Sequence, residues 1–159
     1  MSCNHGFRPQ LHDVLRRTAE LTLEDHRVLS DAAHPFQAFL DAVERKWVEE
    51  LGGMNLFFVF DDGTVITPPL TGTILPGITR DLVLELAARH DLPCSESDVT
   101  VAALRDADEI WITSSTREIV PVTRLDARPV GTGRPGPVWK TMIGHYRTYK
   151  EAVRNGTAD

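Results

Sequence analysis

The run Asn55-Leu56-Phe57-Phe58-Val59-Phe60 limits the fold more than any other part of the chain. Successive strand residues point to opposite faces, so aromatic and branched side chains without polar alternation suit a strand covered on both sides. A sheet with one wet face would leave every second one of these side chains in water. Asp61-Asp62-Gly63 then supplies a turn, and residues 64–67 return as the partner strand of a hairpin. Further strands are expected at residues 99–103, 109–113 and 119–123, with a small hairpin over residues 125–130 around Asp126-Ala127.

Periodicity and punctuation place the helices. Pro68-Pro69 and Pro76-Gly77 mark a loop that ends at Thr79, after which Leu82, Val83, Leu86 and Ala87 form one apolar helix face closing near His90. The stretch Gly131-Thr132-Gly133-Arg134-Pro135-Gly136-Pro137 leads into a final helix over residues 138–153. It lacks the Gly-x-x-x-x-Gly-Lys-Ser/Thr order of a nucleotide loop and reads as a rigid connector. Near the N-terminus, Leu11, Val14, Leu15, Thr18 and Ala19 recur at helical spacing. A second helical pattern covers residues 23–33 behind Thr22, and His34-Pro35 ends it before a short strand at residues 36–42. The expected architecture is α/β (mixed α+β), a mixed sheet with flanking helices. One domain over residues 36–154 follows an unassigned helical segment, 1–35, and precedes a tail, 155–159.

Composition narrows the partners. With 159 residues and 42% hydrophobic content the chain can bury one core of ordinary size. Seventeen Lys plus Arg stand against 23 Asp plus Glu, a formal charge of −6. That balance argues against nucleic acid, whose binding needs a basic face. No apolar run approaches bilayer length, so no membrane role is expected. Cys3 and Cys94 are too few and too far apart for a disulfide framework, which favours a reduced, cytoplasmic setting. The six histidines, His5, His12, His26, His34, His90 and His145, show no paired ligand spacing, so no metal is expected.

Three stretches carry side chains suited to chemistry. Gly77-Ile78-Thr79 brings backbone donors and a hydroxyl to the start of a helix, where unpaired N–H groups and the dipole favour an anion. Taken alone, Thr79 serves as well as an N-cap and Gly77 as a turn residue. Ser114-Ser115-Thr116 follows the apolar Ile110-Trp111-Ile112 and offers hydroxyls and amides to phosphate or carboxylate oxygens, although polar loops at strand ends are common. Glu50 lies in a charged run with Glu44 and Glu49, where solvation is the ordinary role, and Leu75 alone would be a core residue.

In their order along the chain, Val48-Glu49-Glu50-Leu51-Gly52-Gly53-Met54-Asn55-Leu56-Phe57-Phe58, Gly72-Thr73-Ile74-Leu75-Pro76-Gly77-Ile78-Thr79-Arg80-Asp81 and Thr113-Ser114-Ser115-Thr116-Arg117-Glu118-Ile119-Val120-Pro121-Val122 carry a resemblance. They resemble three landmarks of the class IV (fold-type IV) pyridoxal-phosphate aminotransferases, nearest to the branched-chain amino acid type, over roughly residues 36–153. The resemblance implies the C-terminal, cofactor-binding domain of that family, with pyridoxal 5′-phosphate as cofactor. It places Glu50 against the pyridine nitrogen, which a carboxylate keeps protonated so that the ring can take up electrons. Leu75 becomes an apolar platform under the ring, Ile78 and Thr79 the phosphate turn, and Ser114, Ser115 and Thr116 the loop that closes the phosphate site and meets the substrate carboxylate. The implied reaction moves an amino group between Leu, Ile or Val and 2-oxoglutarate, so the partners are amino acid and 2-oxo acid substrates. The third landmark is also similar to D-amino acid aminotransferases, which leaves the substrate open.

The family's chemistry needs a lysine upstream of the glutamate, to hold the cofactor and move the proton. Residues 1–35 contain none, and the lysines of the chain are Lys46, Lys140 and Lys150. Lys46 stands four residues before Glu50 at what resembles an ordinary charged site, and the other two fall on the final helix. The chain alone is therefore expected to be a truncated, inactive form with no catalytic lysine. A noncatalytic remnant or binding module is the alternative. Apolar surface left uncovered would pair with a second copy, as in a dimer, or with a separate N-terminal piece.

Overall fold

The computed structural model describes residues 19–21, 46–49, 53–71, 74–126 and 128–158. Seven strands, β1 (Ala19–Leu21), β2 (Asn55–Val59), β3 (Val65–Thr67), β4 (Cys94–Glu96), β5 (Glu109–Ser114), β6 (Glu118–Leu125) and β7 (Arg128–Pro129), build one sheet among these residues. Their order is β1-β6-β5-β2-β3-β4, with β7 paired to β6. The β1–β6 and β3–β4 pairs are parallel, and the pairs through the centre are antiparallel, so the sheet is mixed as expected.

All five residues of β2 are buried, and its alternation explains why. Leu56 and Phe58 join Leu104, Ile110, Ile112, Val120 and Val122 on one face. Phe57 and Val59 join Trp111, Ile119, Val83, Leu86, Trp139, Met142 and Ile143 on the other. Each large apolar side chain so buried contributes about 1.5–3 kcal/mol relative to exposure. The second face is covered by helices α1 (Ile78–Arg89) and α3 (Pro137–Asn155), the first by the short helix α2 (Val101–Arg105) with Val48 and Val99. Trp139, Met142, Ile143 and Tyr146 of α3 recur at helical spacing and face the sheet.

The hairpin turn forms at the expected residues. Gly63 takes φ +77, and the Thr64 amide donates to the Asp62 carboxylate at 2.8 Å. That bond, with a second from the Thr64 hydroxyl, holds the Asp62 carboxyl below its ordinary range.

Several expectations need correction. Residues 99–103 do not form a strand: Thr100 accepts the Ala103 amide at 3.1 Å as an N-cap, and residues 101–105 turn into α2. Alanine and leucine inside this segment favour the helix once the cap is made. Val99 keeps an extended bond, accepting from the Val48 amide at 2.8 Å, and Thr100 keeps an isolated antiparallel bridge to Trp47. Residues 94–96, where no element is expected from sequence, are the edge strand β4, and Ala19, expected to be helical, belongs to β1. Helix α3 runs to Asn155, two residues past its expected end, and stops at Gly156 with φ +70. The expected strand over residues 36–42 and the helical patterns over residues 11–18 and 23–33 lie outside the described residues.

Candidate functional site

Asn55 and Thr113 face each other across the β2–β5 ladder, at the end of the sheet where α1 begins. Both are buried, at 3% and 1% exposure. The Asn55 Nδ2 donates to the Leu75 carbonyl at 2.8 Å, which ties the loop before α1 to the central strand. Gly77 passes so close that a Cβ there would overlap Asn55 Oδ1. Its φ of −75 is open to any residue, so the close approach and not the backbone angle requires glycine.

Gly77 brings no side chain to cap helix α1, and no side chain among the described residues is seen to take its first amides. Its first intrahelical bond runs from the Asp81 amide to the Gly77 carbonyl at 3.0 Å. The amides of Ile78, Thr79 and Arg80 precede that bond and have no acceptor inside the helix. Together with the helix dipole they make a place for negative charge.

Five of the residues singled out from sequence, Leu75, Ile78, Thr79, Ser114 and Ser115, line a single cleft of about 50 Å³ at this helix start. Thr116 is exposed in the β5–β6 turn and is not among its lining residues, and Glu50 lies outside the described residues. Ile78 is 79% exposed and Leu75 53%, so apolar side chains form the rim instead of filling a core. The Thr79 side chain is buried, with its hydroxyl bonded to the Tyr146 phenol. Thr79 thus offers the cleft chiefly its backbone. Burial pushes the Tyr146 phenol up, Glu118 adds to the shift, and Lys150 and the Thr79 bond oppose it. Ser114 Oγ accepts the Arg117 amide at 3.1 Å, which shapes the turn and keeps the hydroxyl at its mouth.

Sequence reasoning missed Asn55 and Thr113. The Thr113 hydroxyl is buried and has no hydrogen-bond partner among the described residues. Such a group costs about 1–3 kcal/mol if left unsatisfied, so it marks a position where a ligand atom is wanted. Alternation along β5 was the available signal: Thr113 is the polar end of an apolar strand directly opposite Asn55.

A phosphate group fits this corner. An uncapped helix start and an unpaired buried hydroxyl meet there, and among the described residues no acidic side chain lines it. The cleft is small beside the ~300–1,000 Å³ that encloses a whole small molecule. Its size suits the anionic end of a ligand, with Leu75 and Ile78 standing at the rim. Arg80, although next in sequence, turns away, donating to the Pro68 carbonyl at 2.9 Å and pairing with Glu96. A second hollow, about 310 Å³, lies between Arg105 of α2 and the β6–β7 hairpin, and there Arg105 already pairs with Asp126 at 3.3 Å. Arg128 lines it as well, and the Asp126 carboxylate stands among these donors.

The family model for amino-transferase class IV matches residues 34–125. The chain is 38% identical over 109 residues to a branched-chain-amino-acid aminotransferase of Escherichia coli, covering 69% of this chain and 35% of that protein. It is 36% identical over 115 residues to a D-alanine aminotransferase of Bacillus licheniformis, covering 72% of this chain and 41% of that one. The chain therefore spans well under half the length of these relatives. A solved structure of an aminotransferase from Brucella abortus bound to the co-factor PLP superposes with a TM-score of 0.66 at 30% identity, over 72% of this chain and 39% of that one. A family model matched over more than half of the chain, together with this shared fold, establishes that the chain belongs to the class IV amino-transferase family.

Proposed function

We propose that this chain holds pyridoxal 5′-phosphate by its phosphate end and serves as the cofactor-binding part of an aminotransferase acting on amino acids and 2-oxo acids. The observation that carries the reading is the meeting of the uncapped α1 start with the unpaired Thr113 hydroxyl at one cleft. The Ile78 and Thr79 amides receive the phosphate, with Ser114 and Ser115 closing it from the β5–β6 side. Leu75 supports the ring from the rim, Glu50 is assigned to the pyridine nitrogen from the family resemblance, and Thr116 acts from the same turn. When bound, the cofactor supplies an electron sink for bonds at the substrate's α-carbon.

No lysine of this chain takes the proton-moving role on this reading. Lys150 of α3 pairs with Glu118, and Lys46 lies over the Trp47 ring, 4.3 Å from its centroid. Neither lines the cleft. By itself the chain is a binding module, and turnover requires a lysine from another piece. The branched-chain and D-alanine relatives leave two substrate classes, which a turnover assay with leucine or D-alanine as amino donor separates.

Titration of the chain with pyridoxal 5′-phosphate, followed by quenching of tryptophan fluorescence and competed with inorganic phosphate, tests the reading. Saturable quenching that phosphate reverses is expected. Absence of saturable binding, or binding indifferent to phosphate, would sink it.

A further inference from the structure

We infer that Asn55 is the positioning residue of the anion corner, its side-chain amide setting where the start of α1 stands relative to Thr113. The inference rests on the anion-binding reading just proposed. Asn55 is the first residue of β2 and is 3% exposed. Through the backbone it is registered opposite Thr113, so the strand ladder fixes one half of the corner. Through its side chain it reaches the other half: Nδ2 donates to the Leu75 carbonyl at 2.8 Å, and Oδ1 packs against Gly77, the residue before the helix. Between these two contacts stands Pro76, which has no N–H with which to brace the turn itself. One buried side chain thus grips both ends of the three-residue turn that aims the free amides of α1. Amides aimed at an anion lose most of their value when displaced by even 1 Å or so, because the site depends on preset geometry.

The arrangement makes a demand that an ordinary buried asparagine would not. If Asn55 only filled space, its loss would lower stability and leave anion affinity in the folded protein unchanged. If it positions the turn, affinity falls in a protein that remains folded. Gly77 supplies an independent check, because the methyl of Gly77→Ala collides with Asn55 Oδ1 and meets no other residue as closely.

The experiment uses the full chain with four variants: Asn55→Ala, Asn55→Thr, Gly77→Ala and the double variant Asn55→Ala/Gly77→Ala. Pyridoxal 5′-phosphate and inorganic phosphate affinities are measured beside the thermal midpoint and far-ultraviolet circular dichroism. Asn55→Ala and Asn55→Thr should each weaken both ligands about tenfold, the scale of a lost supporting contact behind a ligand, with an unchanged spectrum. Gly77→Ala should lower both midpoint and affinity. The double variant should regain midpoint relative to Gly77→Ala, because the collision is gone, yet keep the weak affinity. Should Asn55→Ala fail to fold, Asn55→Thr, uncharged and of nearly the same volume, carries the affinity comparison. Unchanged affinity in a folded Asn55 variant overturns the positioning role while leaving the binding reading intact. A double variant no more stable than Gly77→Ala overturns the Asn55–Gly77 contact, a result that needs no ligand. Wild-type chain that binds neither ligand removes the binding reading, and the positioning role with it.

Discussion

The Glu109 carboxylate accepts the Trp139 amide at 2.8 Å, so a side chain at the start of β5 caps a helix 30 positions later in the chain. The same carboxylate takes the Val138 amide at 2.9 Å and the Trp111 indole N–H at 3.1 Å. Gly136 is required beside it, since a Cβ there would overlap the carboxylate. This cap fixes α3 against the sheet, and α3 in turn carries Tyr146 to the Thr79 hydroxyl behind the cleft.

Removing that cap should be costly. Glu109→Ala leaves two helix amides and an indole N–H without their acceptor in a buried place, a loss of about 2–4 kcal/mol. Glu109→Gln keeps one acceptor oxygen and should cost about half of that. Urea unfolding checks both values, and a loss under about 0.5 kcal/mol for Glu109→Ala would mean that water replaces the carboxylate.

The parts of this fold legible in the sequence are those governed by local rules. The run from Asn55 to Phe60 announced a central strand because its alternation had no wet side, and Pro76-Gly77 announced the start of α1 because both residues punctuate backbone. Thr100 misled because it stands between Val99 and Val101, whose branched side chains suit a strand, while its capping hydroxyl acts through a helix not yet visible. Cys94–Glu96 carries two polar residues in a three-residue edge strand, too short to show alternation. The Glu109 cap and the Asn55 grip were out of reach for another reason: each joins residues 20 to 30 positions apart, and no periodicity records such a pairing. The cleft itself was legible only through the resemblance, since each of its stretches has an ordinary reading when taken singly.

Thr113 should separate stability from binding. Thr113→Val keeps the shape of the side chain and removes a buried hydroxyl that has no partner among the described residues. The ligand-free chain should become more stable by up to about 1 kcal/mol, because the desolvated group is gone. Phosphate affinity should fall at the same time. Thermal unfolding with and without phosphate reads both, and a variant that loses stability without loss of affinity would show the hydroxyl to be a packing group.

His145 on α3 stacks on His90 at the end of α1, with ring centroids 3.6 Å apart and planes at 14°. Desolvation, with a smaller contribution from His90, holds the His145 pKa below its ordinary value of 6.5. A histidine depressed in the folded state binds fewer protons there than in the unfolded chain. Its contribution to stability is therefore full above pH 6.5 and is lost as pH falls below that value, until the folded-state pKa is passed. Thermal midpoints taken from pH 7.5 to pH 5 should decline more steeply in the wild type than in His145→Asn. Parallel declines would show that other groups set the acid limit.

The lysines give the sharpest expectation about activity. On the proposed reading the chain brings no lysine of its own to the proton at the substrate's α-carbon: Lys150 is paired with Glu118, and none of Lys46, Lys140 and Lys150 is among the described lining residues of the cleft. Incubation with the cofactor, 2-oxoglutarate and either leucine or D-alanine should yield glutamate no faster than free cofactor does. Borohydride treatment should fix no cofactor to a single lysine. Adding a separate polypeptide that brings the family's upstream lysine should raise turnover only if the two pieces assemble, and the amino donor that responds would then assign the substrate class. Turnover by the chain alone that disappears in Lys46→Ala would show instead that Lys46 has taken the role. Retention of that turnover in Lys46→Ala, Lys140→Ala and Lys150→Ala alike would place the proton transfer on a group other than lysine, and the reading of the chain as a binding module would have to be given up.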